Sequence, residues 1–328
     1  RLEKKVVSGP DWLYQNILSN KKVIAVSGTH GKTTVTSMIA HTLINNNFDP
    51  NYLIAGIPKK LEKSWNISND EVFVIEADEY DTCYFDKRPK FFHYRPNILL
   101  INNIEFDHAD IYENIEMIEK NFFELIKTMP SKSKVLINEK KVSKSFRNKL
   151  NKEKLKTTLQ FLSLNTSNIH EENKLLAAHA IEDLISKEKV LNGLRDYSGV
   201  KRRFETIFNN KNFKLIDDFA HHPTAIEETI KMIREQTDNL TLIVELGSNS
   251  MKRGVHDKRL VDIFKNQETY TINASAEQEK IFSVHAKELT NDDIVKICSK
   301  DEKKKTILMC GNRNFHGFQK LILNQLIK

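Results

Sequence analysis

Short apolar runs alternate along the chain with longer segments in which apolar residues recur every three or four positions. The short runs predict buried strands, and the longer segments predict amphipathic helices. In the first part of the chain, strands are predicted at 22–27, 72–77, 97–101, 135–138 and 160–163, and helices at 32–45, 113–129 and 172–186. After a linker at 193–199, strands are predicted at 213–217, 241–246, 269–272 and 306–309, and helices at 223–235, 258–265, 292–300 and 315–326. Because a strand is followed repeatedly by a helix, the pattern indicates two α/β domains with parallel sheets.

The basic residues are concentrated in one segment. The whole chain carries a net charge of +7, whereas residues 132–156 hold ten Lys or Arg and two Glu and therefore carry +8 on their own. A nucleic-acid-binding ATPase would need aromatic side chains that stack on bases, and Phe146 is the single aromatic residue in this segment. We therefore interpret the segment as a solvated, lysine-rich remnant of a shortened domain, and we expect no nucleic-acid partner.

Composition also argues against membrane and secreted classes. No stretch reaches the roughly 18 consecutive apolar residues of a membrane helix, and no signal peptide opens the chain. Cys83, Cys298 and Cys310 have neither the spacing of a metal site nor the pattern of a disulfide framework. The sequence predicts a cytoplasmic protein with no membrane partner.

A glycine-containing loop joins the first predicted strand to the first predicted helix. Its residues are Gly28, Thr29, His30, Gly31, Lys32, Thr33 and Thr34. Glycines let backbone N–H groups close around phosphate oxygens at a helix N-terminus, while a lysine reaches the terminal phosphates and a threonine hydroxyl ligates Mg²⁺. Val26 stands where the full Walker pattern has glycine, so this is the shorter GTxGKT form. The loop predicts a P-loop ATPase domain with ATP and Mg²⁺ as cofactors.

Polar clusters follow the next two predicted strands. Glu76, Asp78 and Glu79 end one strand, and the run NNIEFDH (102–108), which contains His108, ends the other. Ligands of open α/β sheets bind at the carboxyl ends of the strands, so both clusters should lie near the phosphate loop. Carboxylates are ligands that Mg²⁺ prefers. Glu76 is the first metal candidate, with Asp78 and Glu79 behind it, and a neutral His108 could help to hold a second divalent ion.

Two further runs lie in the second predicted domain. The run GVKRRFE (199–205) could bring an arginine onto a transferring phosphate. The run DDFAHHPT (217–224) joins a strand end to a helix start. Adjacent histidines such as His221 and His222 seldom face one metal, so this run is better interpreted as orienting phosphate or substrate.

In their order and spacing these runs resemble those of the Mur ligases, a family of ATP-dependent enzymes that form amide bonds. The resemblance rests on GTHGKTT (28–34), EADEYD (76–81), NNIEFDH (102–108), GVKRRFE (199–205) and DDFAHHPT (217–224). It implies a P-loop ATPase domain with a shortened parallel sheet at 22–197 and a Rossmann-like α/β C-terminal domain at 198–328. It also implies that residues 1–21 are the linker from a missing N-terminal UDP-sugar domain. Residues 76–112, with the insert FDKRPKFFHYRP (85–96), look most like the branch that attaches a whole tripeptide.

The resemblance further implies a reaction and a set of roles. ATP would phosphorylate the carboxylate of UDP-N-acetylmuramate, and the amine of a murein tripeptide would displace the phosphate, in a monomeric enzyme of peptidoglycan recycling. The implied catalytic residues are Lys32, Glu76, His108, Arg203, Asp218 and His221, and the implied metal ligands are Thr33, Glu76 and His108. Asn103, Asn173 and Arg203 would join loop residues 28–34 in binding ATP.

Two positions depart from the family pattern. Glu171 stands where an adenine-side run of the family has asparagine, and Gly247 stands where another run has arginine. Two alternatives therefore stay open beside the tripeptide ligase. One is a ligase that adds L-alanine to UDP-N-acetylmuramate, and the other is a nucleotide-binding homologue without ligase activity.

Overall fold

The structure, a computed structural model, describes residues 6–166, 168–299 and 303–327. The chain divides after Lys201 into two compact units, and each unit has its own sheet. The sequence had placed this boundary between residues 197 and 198. Residues 1–5 of the predicted leading linker, and Lys300 at the end of one predicted helix, lie outside the described residues.

The described part of the first unit contains nine strands and seven α-helices. The strands are β1 (Lys22–Ser27), β2 (Asn51–Leu53), β3 (Trp65–Asn66), β4 (Val72–Glu76), β5 (Asp81–Cys83), β6 (Asp86–Pro89), β7 (Ile98–Ile101), β8 (Lys134–Asn138) and β9 (Thr158–Leu162). The helices are α1 (Gly9–Asn16), α2 (Lys32–Asn45), α3 (Phe91–Tyr94), α4 (Ile115–Thr128), α5 (Lys144–Lys152), α6 (Ile169–Ala180) and α7 (Lys187–Gly193). Seven of these strands form a sheet in the order β3-β2-β4-β1-β7-β8-β9, in which β3 alone is antiparallel, while β5 and β6 form a separate hairpin.

The central strand β1 shows why the sheet forms from apolar runs. Ile24 and Val26 point into one hydrophobic cluster, whereas Val23 and Ala25 point into the cluster on the opposite face. Both faces are thus covered, as a parallel strand flanked by helices requires. Strand β1 pairs with β4 on one side and β7 on the other, so the carboxyl ends of all three strands meet at one edge.

The basic segment is an ordered part of this sheet, so its interpretation as a solvated remnant is wrong. Residues 132–156 contain β8 and helix α5, whose N-terminus is capped by the Ser143 hydroxyl. Phe146 and Leu150 lie on one face of α5 and are buried in the core beside α4. The many lysines suggested a fully solvated segment. They flank a narrow apolar face, however, and that face packs into the core.

Two other element predictions are corrected in this unit. Helix α1 occupies much of the predicted leading linker, and Leu18 just after it is fully buried in the core. The helix predicted at 172–186 begins earlier, because the side chain of Asn168 caps the backbone of His170. It ends at Ala180, and the segment that connects it to α7 contains the buried residues Ile181 and Ile185.

The described part of the second unit is a smaller α/β sandwich. Its strands are β10 (Glu205–Asn209), β11 (Phe213–Asp218), β12 (Leu240–Glu245), β13 (Glu268–Ile272), β14 (Lys287–Glu288) and β15 (Lys305–Cys310), in the order β10-β11-β15-β12-β13-β14. Its helices are α8 (Pro223–Arg234), α9 (Asn249–Lys252), α10 (Asp257–Phe264), α11 (Ala276–Phe282), α12 (Asn291–Ile297) and α13 (Phe318–Ile327). Strand β10 is antiparallel to β11, and the remaining pairs are parallel.

Helix α13 starts three residues later than the sequence predicted. Phe315, His316 and Gly317 have φ values of 53°, 51° and 84°, and this left-handed backbone cannot continue an α-helix. Every helix within the described ranges is too short or too polar to cross a lipid bilayer.

Candidate phosphate-binding site

The predicted phosphate loop lies between β1 and α2, with Lys32 as the first residue of the helix. Gly31 caps the helix with a φ of 81°, a left-handed conformation that glycine adopts without steric cost. Gly28 has a φ of 134°, and a Cβ there would lie 2.8 Å from the backbone oxygen of Asn103. The loop therefore approaches the end of β7 so closely that Gly28 leaves no room for a side chain, while the left-handed backbone favours glycine at position 31.

Residues after β7 clamp the loop in place. The backbone N–H of His30 donates to the Asn103 side chain at 3.0 Å, and the Asn102 and Asn103 amides both donate to the His30 carbonyl at 3.0 Å. The Thr29 hydroxyl donates to the Glu105 carbonyl at 3.1 Å and accepts from the Glu105 N–H at 2.9 Å. The predicted ATP-binding residue Asn103 thus lies directly against the loop.

Lys32 lies in an acidic pocket at the start of α2. Its ammonium is 3.0 Å from Glu79, 3.3 Å from Asp78, and it donates to the Gly28 carbonyl at 2.7 Å. Burial alone would lower the pKa of Lys32, but Glu79, Asp78 and Glu76 outweigh burial and raise it above its ordinary value. Lys32 is therefore a permanent cation beside the loop. Because Lys32 and Lys90 outweigh its own burial, the pKa of Asp78 falls to about 2.

The predicted metal ligands fall into two neighbouring groups. The Thr33 hydroxyl donates to Glu76 at 3.0 Å, and the other oxygen of Glu76 accepts from the Ala55 N–H at 3.0 Å. His108 instead contacts Glu79 at 3.2 Å. Burial would lower the pKa of His108, but its hydrogen bond to Glu79 and the charge of that carboxylate raise it. One ligand atom each from Asp78, Glu79 and His108 lie within 4.8 Å of one another.

Glu79 is the residue whose importance the sequence underestimated. It ranked behind Glu76, yet in the structure it contacts both Lys32 and His108. The sequence shows four carboxylates close together in EADEYD (76–81), but it does not show which of them turn toward the loop.

Asn173, on α6, also lies beside the loop. It is buried, and its Oδ1 has no hydrogen-bond partner within the described residues. This oxygen is 3.5 Å from the point where a Cβ on Gly31 would lie. An unsatisfied buried acceptor beside a glycine-lined helix N-terminus fits a ligand that brings its own donors.

ATP and Mg²⁺ fit the residues present in this unit. The glycine-lined N-terminus of α2 and Lys32 suit phosphate oxygens, and the Asn173 acceptor suits a donor group. The hydroxyl of Thr33 and the carboxylate of Glu76 are hard oxygen donors of the type that Mg²⁺ selects. Thr34 follows on α2 and is half-buried.

Arg203, Asp218 and His221 belong to the second unit, where β11 ends. The Arg203 guanidinium stacks on the Phe219 ring at 4.4 Å, and His221 Nδ1 lies 3.0 Å from the Phe219 carbonyl. Asp218 is buried and accepts from the Thr229 hydroxyl at 2.7 Å and from the Ala220 N–H at 3.1 Å. Burial raises the pKa of Asp218, although Thr229 and Arg203 oppose this shift. The three predicted residues thus form one cluster around Phe219.

Comparison with protein families matches both units. The profile of the Mur ligase middle domain matches residues 26–190, and that of the Mur ligase, glutamate ligase domain matches residues 202–313.

Curated relatives carry two kinds of name. The UDP-N-acetylmuramate–L-alanyl-γ-D-glutamyl-meso-2,6-diaminoheptandioate ligases of Haemophilus influenzae and Escherichia coli are 34% and 32% identical over 287 and 291 residues. The UDP-N-acetylmuramate–L-alanine ligase of Clostridium perfringens is 28% identical over 270 residues, 71% of this chain and 57% of that protein. Each of the first two alignments covers 77% of this chain and 63% of the relative, so the chain spans less than two thirds of those enzymes.

Solved structures share the fold. The murein peptide ligase of Psychrobacter arcticus superposes with a TM-score of 0.72 at 27% identity, over 98% of this chain and 80% of that one. The UDP-N-acetylmuramate–alanine ligase of Thermotoga maritima reaches a TM-score of 0.70 at 20% identity, over 96% of this chain and 77% of that one, which is a likeness of fold alone.

Proposed function

The chain belongs to the Mur ligase family, and from this membership we propose that it works as an ATP-dependent ligase. The proposed reaction joins the tripeptide L-Ala-γ-D-Glu-meso-diaminopimelate to UDP-N-acetylmuramate, as a step of peptidoglycan recycling. The similarity to two tripeptide-adding enzymes, at 34% and 32% identity, carries the proposal. The L-alanine ligase of Clostridium perfringens is less similar, at 28%.

The proposed chemistry is acyl transfer through a phosphate. The carboxylate of UDP-N-acetylmuramate attacks the γ-phosphorus of ATP, which releases ADP and forms an acyl phosphate. The tripeptide amine then attacks the acyl carbon, and phosphate leaves as the amide forms. Positioning and charge neutralisation are the main requirements of such a reaction, and no protein nucleophile is needed.

The first unit offers residues for the phosphates of ATP. We assign phosphate binding to loop residues 28–34, with the Lys32 ammonium neutralising charge. Asn103 holds the loop, and Asn173 offers its free acceptor beside it. Mg²⁺, when bound, would shield the phosphate charge, and Thr33, Glu76 and His108 are the residues assigned to divalent ions.

The second unit offers a cation and a buried acid. We assign the neutralisation of transferring phosphate to Arg203, whose stacking on Phe219 restrains the guanidinium plane. Asp218 and His221 are assigned to orienting the reacting groups, and Asp218 is held in place by two hydrogen bonds.

The deciding experiment compares two amine substrates. The protein is expressed with any residues that its reading frame encodes before Arg1 and is supplied with ATP, Mg²⁺ and UDP-N-acetylmuramate. We expect phosphate release and a new UDP-linked product with the tripeptide, and at least ~100-fold less with L-alanine. Lys32→Ala should remove turnover, since it takes away the ammonium that lies at the phosphate loop.

Two results would overturn the proposal in different ways. A preference for free L-alanine would assign the protein to the L-alanine-adding ligases. Binding of ATP without turnover of either amine would indicate a nucleotide-binding homologue that is not a ligase.

A further inference from the structure

Glu79 is the most deeply buried carboxylate of the phosphate site. Its side chain is 2% exposed, and its two oxygens face different groups. Oε2 lies 3.0 Å from Lys32 Nζ, and Oε1 lies 3.2 Å from His108 Nε2. Burying a carboxylate is costly unless it is both paired and hydrogen-bonded, and here each oxygen has a partner.

The backbone of Glu79 is anchored as well. Its carbonyl accepts a hydrogen bond of 2.6 Å from the hydroxyl of Tyr112, which is itself buried. That hydroxyl accepts from the Asn121 amide, on helix α4, at 3.1 Å. A chain of contacts therefore runs from α4 through Tyr112 to Glu79, and so fixes where the carboxylate stands.

The neighbouring Asp78 makes a different set of contacts. It lies 3.3 Å from Lys32 and 3.1 Å from Lys90, and its side chain is 31% exposed. Both acids thus neutralise Lys32, but Glu79 is the one that hydrogen-bonds the imidazole of His108. A comparison of the two acids therefore separates two effects. One is the neutralisation of the Lys32 charge, which both acids provide, and the other is the link between Lys32 and His108, which Glu79 provides.

We propose that Glu79 is a positioning residue that fixes the spacing between the Lys32 ammonium and the His108 imidazole. This inference rests on the proposed function, in which Lys32 meets phosphate and His108 faces a divalent ion. A displacement of about 1 Å in such groups can lower a rate by about 100-fold. The carboxylate would thus act on the reaction through two other side chains without touching the substrate.

The kinetic test uses Glu79→Gln, with Asp78→Asn as its matched control. We expect Glu79→Gln to lower kcat by at least ~10-fold more than Asp78→Asn does, with a change of less than ~3-fold in KM for ATP, because the loop backbone still binds the phosphates. Glu79→Asp keeps the charge but is one methylene too short to reach both partners, so it should be impaired as well.

A second measurement does not depend on activity. We expect the ¹⁵N resonance of His108 Nε2 to shift in Glu79→Gln and to stay near its parental position in Asp78→Asn. If the parent protein has no ligase activity but this resonance pattern is seen, the proposed function fails while the positioning role of Glu79 stands. Should Glu79→Gln not fold, Tyr112→Phe decides, since it removes the hydroxyl that links Asn121 to the Glu79 carbonyl and leaves the Glu79 carboxylate in place, and it should lower kcat by ~3–10-fold with KM unchanged.

Three results would overturn the inference. One is equal kcat in Glu79→Gln and Asp78→Asn. Another is full activity in Glu79→Asp, which would mean that charge alone matters. The third is an unmoved His108 resonance in the folded Glu79→Gln protein.

Discussion

At the scale of single residues, Gly28 determines whether the loop can form. A Cβ at this position would lie 2.8 Å from the oxygen and 2.9 Å from the nitrogen of Asn103, both of which are backbone atoms that cannot move aside cheaply. The φ of 134° adds strain for any other residue. The same contact brings Asn103 against the loop, so the two residues depend on each other.

We predict that Gly28→Ala destabilises the first unit by about 1–3 kcal/mol and weakens ATP binding at least ~10-fold. Urea unfolding and calorimetric titration with ATP measure these two effects. Gly9→Ala is the control, because a Cβ at Gly9 would meet no atom within 4 Å beyond its own helix backbone and chain neighbours, and its stability should change by less than ~0.5 kcal/mol. Parental ATP affinity in Gly28→Ala would show that the close approach is not needed for binding.

Asp218 gives a prediction with a definite pH dependence. Burial raises its pKa in the folded state, so folding favours the protonated acid. The parent protein therefore loses stability as the pH rises from below the ordinary aspartate pKa to above the raised one. Asp218→Asn keeps an acceptor and has no charge, so we expect it to be more stable than the parent at pH 8, with a difference that shrinks at low pH.

Hydrogen exchange of the β11 amides at pH 8 and pH 4 tests the Asp218 prediction locally. Thr229→Val is a useful companion, because it removes the hydroxyl that donates to the carboxylate and should destabilise the parent more at pH 8. A difference between Asp218→Asn and the parent that does not vary with pH would contradict the assigned cause.

At the scale of elements, apolar periodicity located β1, α2 and the ends of β4 and β7, because the core dictates those residues. It did not show that Asp78 and Glu79 are the carboxylates of EADEYD that contact Lys32, since that depends on how the chain turns after β4. It also missed the hairpin of β5 and β6, whose strands are short and polar. Residue types and spacing indicated the loop and its metal candidates, but not that His108 contacts Glu79 while Thr33 contacts Glu76.

Helix α5 tests the corrected view of the basic segment. We predict that Leu150→Ala lowers the free energy of unfolding of the first unit by about 2–5 kcal/mol, because it leaves a cavity beside α4. Lys152→Ala, on the exposed side of the same helix, should change it by less than ~0.5 kcal/mol. If both substitutions have equal, small effects in urea unfolding, the segment is a solvated remnant after all.

At the scale of the whole molecule, the chain is two units with separate sheets and separate cores. The hydrophobic clusters of the first unit contain residues before 201, and those of the second contain residues after it. Both tryptophans of the chain, Trp12 and Trp65, lie in the first unit. Tryptophan fluorescence thus follows one unit, while amide exchange in β11 or β12 follows the other.

We predict two unfolding transitions, one for each unit. Mg²⁺ and ATP should raise the midpoint of the transition that tryptophan fluorescence reports. A ligand at 100 times its Kd stabilises the state that binds it by about 2.7 kcal/mol, which is a readily measured shift in midpoint. Lys32→Ala should abolish the shift, whereas Lys152→Ala should keep it, since that lysine is exposed on α5. An ATP-dependent shift that survives Lys32→Ala would mean that the nucleotide binds somewhere other than the loop between β1 and α2. A single transition in both probes would show that the two cores, although separate in structure, unfold as one cooperative unit.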